Sequence, residues 1–247
     1  MISVNKLHNI EAFKTVLKNY KPSDEGVKML QALKLVLLIG PSAAGRNTMI
    51  SILRSTGRYH YIVSDTTRLP RENNGIMEQN GVEYWFKPEE KFLDGLQKGA
   101  YLEAAIIHGQ QVSGISIAEL NKANLDDKIA IDEIEVDGAD HIHNYKPDAL
   151  FVFLLPPNFD IWMQRLMARG YMDEQEIRRR LISARTEIST ALQANFYQFV
   201  INNEIHEAAE AVDQLVSGRP PDQAKQTFGR SHAKKLIEEI EYYLNIV

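Results

Sequence analysis

The sequence predicts an α/β fold built on a central parallel sheet, and three features carry that expectation. Two apolar runs, residues 35–39 and 149–155, are continuous rather than alternating, as in strands covered on both faces. Segments with helical spacing separate them, as a parallel sheet with helical crossovers requires. A glycine-spaced turn from Gly40 to Gly45 follows the first run directly and leads into a helical pattern.

Taken in order, residues 1–33 read as a helical extension. Ile10, Phe13, Val16 and Leu17, then Val27, Leu30 and Leu33, keep helical spacing on either side of Lys21, Pro22, Ser23 and Asp24, which read as a turn and a fresh N-cap. Residues 34–217 form the alternating zone. Helical segments are expected at 48–53, 89–97, 117–123, 159–168 and 173–195, short strands at 83–86 and 105–107, and a buried strand within 128–135. The breakers Ser217, Gly218, Arg219, Pro220 and Pro221 close this zone and open a linker and terminal helix, 218–247. Within it, 233–247 places Leu236, Ile237, Ile240, Tyr243 and Leu244 on one face. That face suits a helix docked on its own chain, or one that meets a partner such as a second copy of the chain.

With 247 residues, 44% of them apolar, the chain can bury a sizeable core. Its apolar runs fall far short of the roughly 20 residues that cross a bilayer, and its first residues lack a signal-peptide pattern, so the expected location is cytoplasmic. The absence of cysteine excludes disulfides and thiolate metal sites. A net charge of −5 argues against non-specific binding to nucleic acid or anionic membrane, so an anionic ligand needs local basic groups.

The turn Gly40-Pro41-Ser42-Ala43-Ala44-Gly45-Arg46-Asn47-Thr48 offers such a place, because backbone N–H groups and a helix N-terminus together attract phosphate. Its glycine spacing matches the phosphate-loop motif. Arg46 stands where that motif has lysine, and Asn47 where it has the magnesium-binding hydroxyl. Read alone, the segment also fits a strand-to-helix turn with no ligand.

Further motifs follow in order: Ser64-Asp65-Thr66-Thr67-Arg68-Leu69-Pro70-Arg71, Gly81-Val82-Glu83-Tyr84-Trp85-Phe86, Tyr101-Leu102-Glu103, His108-Gly109 and Gly114-Ile115-Ser116. Glu133 to Ala139, Leu154 to Pro157, Arg165 to Gly170, Arg179-Arg180-Leu181 and Val200-Ile201-Asn202 continue the series. Two arginines three apart on a loop stiffened by Pro70 can grip one phosphate, with the Tyr84 hydroxyl as a third donor, although solvated surface arginines would look the same.

This series, over about residues 34–216, resembles the guanylate kinases. The resemblance implies a P-loop kinase three-layer fold with a central parallel sheet, a small mixed β monophosphate-binding subdomain (64–116) and a helical lid (165–190). It implies ATP and Mg²⁺ as cofactors, with the ATP phosphates at Gly40, Ala43, Ala44, Gly45, Arg46, Asn47 and Thr48, and Asn47 as the magnesium ligand. GMP, or dGMP, is expected at Ser64, Arg68, Arg71, Tyr84, Glu103 and Glu135. There Glu103 suits a guanine reader, since a carboxylate accepts from both N1–H and the 2-amino group. Arg46, Arg169 and Arg179 are the expected catalytic arginines, and Asn202 matches the position beside adenine. Glu133 and Glu135 replace an aspartate pair, and two carboxylates capping an exposed strand end fit equally well. The loop 72–80 is longer than the family's usual link, Ser113 replaces a tyrosine, and Ile115 replaces a small hydroxyl residue. Three readings stay open: ATP-dependent phosphoryl transfer to GMP, the same chemistry on another acceptor, or a catalytically impaired module that binds a nucleotide monophosphate or a phosphorylated peptide.

Overall fold

The computed structural model describes residues 7–73, 75–107, 109–168, 170 and 172–246. In chain order the elements are α1 (Ile10–Leu17), α2 (Asp24–Ala32), β1 (Leu35–Ile39), α3 (Arg46–Ser55), β2 (Tyr59–Tyr61), β3 (Asp65–Thr66), β4 (Glu72–Asn73), β5 (Ile76–Met77), β6 (Trp85–Phe86), α4 (Glu89–Gln97) and β7 (Tyr101–Ile107). Next come β8 (Gln111–Ser116), α5 (Ile117–Leu125), β9 (Ile129–Glu133), α6 (Val136–Tyr145), β10 (Leu150–Leu155), α7 (Phe159–Met167), α8 (Glu174–Gln193), β11 (Tyr197–Ile201), α9 (Ile205–Val216) and α10 (Gln223–Ile246).

A five-stranded sheet has the order β11-β10-β1-β9-β2, a four-stranded mixed sheet the order β6-β3-β8-β7, and β4 and β5 form a separate ribbon. In the larger sheet β1 pairs in parallel with β10, Val36 opposite Leu150, and β10 with β11, Phe153 opposite Phe199. All five residues of β1 are buried, which accounts for its unbroken apolar run. The chain groups into two compact units that interleave in sequence. One gathers the described residues up to Leu33, His60–Ala130 and Asn144–Lys146; the other holds Lys34–Tyr59, Ile131–His143 and the residues from Pro147 on.

In the first unit the N-terminal helices are part of the core. Phe13 is fully buried, edge-on to Phe92, which stacks on Tyr101 at 4.4 Å. Ser23 caps α2 by accepting from the Gly26 N–H, as its position before an acidic first turn predicts. Strand β7 begins at Tyr101, earlier than the expected 105–107, because the Tyr20 hydroxyl supplies its first residue with partners. That hydroxyl donates to the Tyr101 carbonyl at 2.6 Å and accepts from the Tyr101 N–H at 2.9 Å. Tyr20→Phe leaves both backbone groups unmet, and the expected loss is about 1–3 kcal/mol, read as a lower urea midpoint with an unchanged m-value.

In the second unit α10 starts at Gln223 rather than 233, since its first turns are held by polar contacts that an apolar pattern does not display. The Gln226 amide accepts from the Phe199 N–H at 2.8 Å and donates to its carbonyl at 3.4 Å, standing in for a neighbour along the open edge of β11. A Cβ at Gly229 would come within 2.7 Å of the Phe199 Cβ, so glycine permits this close approach. Arg230 donates to the carbonyls of Leu192 and Ala194, at 3.0 and 2.8 Å, where α8 ends. Ala233, Leu236, Ile240 and Leu244 are buried beneath the rest of the helix. No helix among the described residues is long and apolar enough to cross a membrane.

Candidate functional site

The phosphate loop lies in the second unit, between β1 and α3. Three of its residues take left-handed backbone angles: Gly40 (φ +142°), Ala43 (φ +66°) and Gly45 (φ +107°). Side chains are excluded at both glycines, because a Cβ on Gly40 would meet the Leu154 carbonyl at 2.3 Å and one on Gly45 the Asn202 amide nitrogen at 2.4 Å. No side chain caps α3 at Gly45, so the first-turn N–H groups are presented to an incoming anion. The loop is braced from outside: Trp162 donates to the Ser42 carbonyl (2.8 Å), Asn202 to the Ala44 carbonyl (2.7 Å) and Arg180 to the Ser42 hydroxyl (3.0 Å).

Beside the loop, Ala43, Gly45, Thr48, Arg165 and residues 202–205 line a cavity of about 410 Å³. Asn202 is 3% exposed, and its side-chain oxygen has no hydrogen-bond partner among the described residues. Arg165 reaches the Asn202 carbonyl at 3.4 Å. Asn47 and Thr48 are exposed in the first turn of α3. Among the described residues no group of three or more His, Asp or Glu is arranged to hold a metal ion.

Arg46 turns to the end of β9, its guanidinium 3.5 Å from the Glu133 carboxylate and 3.8 Å from that of Glu135. Arg46, Glu133 and Glu135 thus form one cluster within this unit. Glu187 of α8 adds a third carboxylate; burial and the Glu135 charge push it up, Arg46 and a hydrogen bond from Ser183 acting against them. Glu135, expected to contact GMP, lies in this cluster with Arg46.

The arginines of α8 separate by helical geometry. Arg179 lies two residues from both Ile177 and Leu181 of the buried stripe, so it points to solvent, where it pairs with Glu176. Arg180 flanks the stripe, bonds Glu176 at 2.7 Å through Nε, and reaches Ser42 of the phosphate loop. The residue on the loop is therefore Arg180, not Arg179; adjacent arginines hide this in the motif, while the apolar stripe around them reveals it. Arg169 and His108 lie outside the described residues.

The residues expected to bind the acceptor, Ser64, Arg68, Arg71, Tyr84 and Glu103, lie in the first unit. Ser64 and Tyr84 precede the paired strands β3 and β6, and the Ser64 carbonyl accepts from the Trp85 N–H at 2.9 Å. Arg68 follows β3 and is 7% exposed, its guanidinium 4.7 Å from the Tyr84 ring and 5.4 Å from that of Phe86. Its Nη1 and Nη2 form a bidentate pair with Glu78, the Nη2 bond measuring 2.8 Å. Glu78 also accepts from the Arg71 N–H at 2.9 Å, while the Arg71 side chain is exposed. The extra length of the 72–80 loop folds into the β4–β5 ribbon, Glu72 opposite Met77, and Glu78 follows directly. Sequence reasoning passed over Glu78, since a single acid in a long polar loop carries no local signal.

Glu103 lies on β7 beside a bulge, and its carboxylate accepts from the Ile115 N–H. Burial pushes its carboxyl up to about 7 against that hydrogen bond. Ser113, in place of a tyrosine, bonds the Thr66 hydroxyl at 3.0 Å and so serves the sheet. Behind β6 the 2%-exposed Glu119 of α5 accepts from Trp85 Nε1 at 2.9 Å and Lys122 at 2.6 Å, and lies 3.1 Å from His60 Nε2. Burial would raise its carboxyl, but those three partners outweigh it and hold it below its ordinary range.

A family model described as guanylate kinase matches residues 32–219. A guanylate kinase of Corynebacterium glutamicum is 35% identical over 187 residues, covering 75% of this chain and 95% of that protein. One from Helicobacter pylori strain 26695 is 35% identical over 179 residues, 72% of this chain and 84% of its own length. Among solved structures, guanylate kinase from Anaplasma phagocytophilum shares the fold with a TM-score of 0.55 at 22% identity, covering 85% of this chain and 95% of that one.

Proposed function

Because the chain belongs to the guanylate kinase family, we propose that it transfers the γ-phosphoryl group of ATP to GMP, or to dGMP, giving ADP and the corresponding guanosine diphosphate. The observation that carries the reading is the phosphate loop. Its left-handed angles at Gly40, Ala43 and Gly45 and its uncapped helix start keep the backbone cradle, although Arg46 and Asn47 differ from the usual motif. Backbone N–H groups do most of the holding in such a loop, so a changed side chain at its end costs less than a changed glycine.

In this reading the cradle and Arg46 receive the ATP phosphates, and the cavity beside Asn202 and Arg165 receives the adenosine end. Arg68, Arg71 and Tyr84 hold the acceptor phosphate, with Ser64 and the ionised Glu103 on guanine. Arg180 takes the catalytic place first expected for Arg179, facing the loop from α8. Phosphoryl transfer needs little covalent help from the protein, so positioning and cationic stabilisation of the transferred group are what these residues supply. Asn47, a neutral oxygen ligand exposed at the start of α3, fits a magnesium ion held mainly by the nucleotide's own phosphates. When bound, that ion would supply Lewis-acid chemistry, offsetting charge on the phosphates.

The test is ADP formation from ATP and Mg²⁺ with GMP, dGMP, AMP, CMP or UMP as acceptor. GMP-dependent turnover is expected, with Arg68→Ala lowering kcat/KM for GMP by about 10²–10³-fold. The double variant Arg46→Lys/Asn47→Ser should turn over at least as fast as the wild type. A wild-type protein that binds GMP yet turns over no acceptor, with activity appearing only in the double variant, would leave a non-catalytic binding module.

A further inference from the structure

We infer that Glu78 is the positioning residue of the acceptor-phosphate site, one carboxylate that fixes the Arg68 guanidinium and the main chain at Arg71 through the ribbon formed by the long 72–80 loop. The inference rests on the acceptor reading above and adds to it a residue that contacts no substrate.

The geometry carries it. Within a span of eleven residues the Glu78 carboxylate takes up three donors: Nη1 and Nη2 of Arg68 and the main-chain N–H of Arg71. The Glu78 N–H returns a bond to the Arg71 carbonyl at 2.9 Å, closing the base of the ribbon on the arginine loop. Both side chains of the pair are nearly buried, 7% exposed for Arg68 and 8% for Glu78, so solvent screens the contact little. The Arg68 hydrogen bonds hold the Glu78 carboxyl below its ordinary range despite its burial.

A guanidinium on a four-bond stem has many rotamers, and each must be frozen before it grips a phosphate in one orientation. Here Glu78 does so in advance, with the Arg68 plane set against Tyr84 and Phe86. The same ribbon leads into Tyr84: the Gln79 N–H donates to Glu83 at 2.7 Å, the Phe86 N–H to the Asn80 side chain at 2.8 Å, and the Gly81 N–H to the Tyr84 carbonyl at 2.8 Å. The extra loop length is thus taken up while Arg68, Arg71 and Tyr84 stay tied to one another. An arginine without its carboxylate would keep its charge and lose its aim.

The opposite function is a carboxylate that occupies the arginine in place of phosphate and must be expelled by it, and measurement separates the two by sign. Glu78→Gln and Glu78→Asp would be compared with wild type for KM and kcat with GMP, KM with ATP, and direct calorimetric binding of GMP and of guanosine, which lacks the phosphate. The expected result is a KM for GMP raised about tenfold in Glu78→Gln, with kcat and KM for ATP within about twofold of wild type. Guanosine binding should be unchanged, and Glu78→Asp should restore part of the loss. A KM for GMP that stays level or falls in Glu78→Gln overturns the inference, as does an equal weakening of guanosine and GMP, which would mark a general structural defect. If Glu78→Gln does not fold, as judged by circular dichroism, the same criteria apply to Glu78→Asp. Failure of the underlying reading looks different: the wild type itself would then neither bind nor phosphorylate GMP.

Discussion

Arg180→Ala is expected to lower kcat by about 10²–10³-fold with KM for GMP nearly unchanged, whereas Arg179→Ala should stay within about twofold of wild type. The two arginines are neighbours in sequence and lie about 100° apart around α8. Only Arg180 reaches the phosphate loop, at the Ser42 hydroxyl, and its other contact to Glu176 holds it there. A cation so placed offsets charge that accumulates on the transferred phosphoryl group, a stabilisation felt mainly in the transition state, so the loss falls on kcat. Steady-state kinetics of both variants checks this, and a large effect at Arg179 with none at Arg180 would reverse the assignment.

Glu103→Gln should cut kcat/KM for GMP by about 10²–10³-fold, since a carboxylate that accepts from two guanine N–H groups is replaced by an amide that presents one acceptor and one clashing donor. The wild type carries a second signature at this residue. Only the ionised carboxylate can accept both bonds, and in the unliganded protein burial pushes that carboxyl up to about 7. The sign follows directly: affinity for GMP is fully present above pH 7 and falls by about tenfold per pH unit below it. The GMP phosphate titrates nearby, so the informative quantity is the ratio of wild-type to Glu103→Gln affinity by calorimetry between pH 5.5 and about 8.5. A ratio that does not change with pH would mean that Glu103 does not read the base.

Local pattern and motif determined much of this protein. The unbroken apolar runs placed β1 and β10, because a strand covered on both faces has no polar side to show. Ser23 marked the start of α2 through its capping chemistry, and the breakers around Pro220 preceded α10. The glycine spacing matches the turn between β1 and α3, and the resemblance singles out Ser64, Arg68, Arg71, Tyr84 and Glu103 as the expected acceptor residues. Each of these signals is local: it depends on a few consecutive residues and their backbone angles.

Only the tertiary structure decided the rest, since the deciding partners are far apart in the chain. Strand β8 and the first half of β7 alternate too weakly to announce themselves and exist through pairing with each other and, for β7, through Tyr20. Helix α10 begins before its apolar face because Gln226 finds the open edge of β11. Arg46 meets Glu133 and Glu135, and Asn202 holds the Ala44 carbonyl, across 87 to 158 positions of sequence that composition and periodicity do not bridge. Glu78 reads as one more acid in a polar loop until the ribbon turns it back onto Arg68. A hydrogen bond is decided by distances of about 3 Å and by direction, quantities that belong to the folded chain and not to the order of its residues.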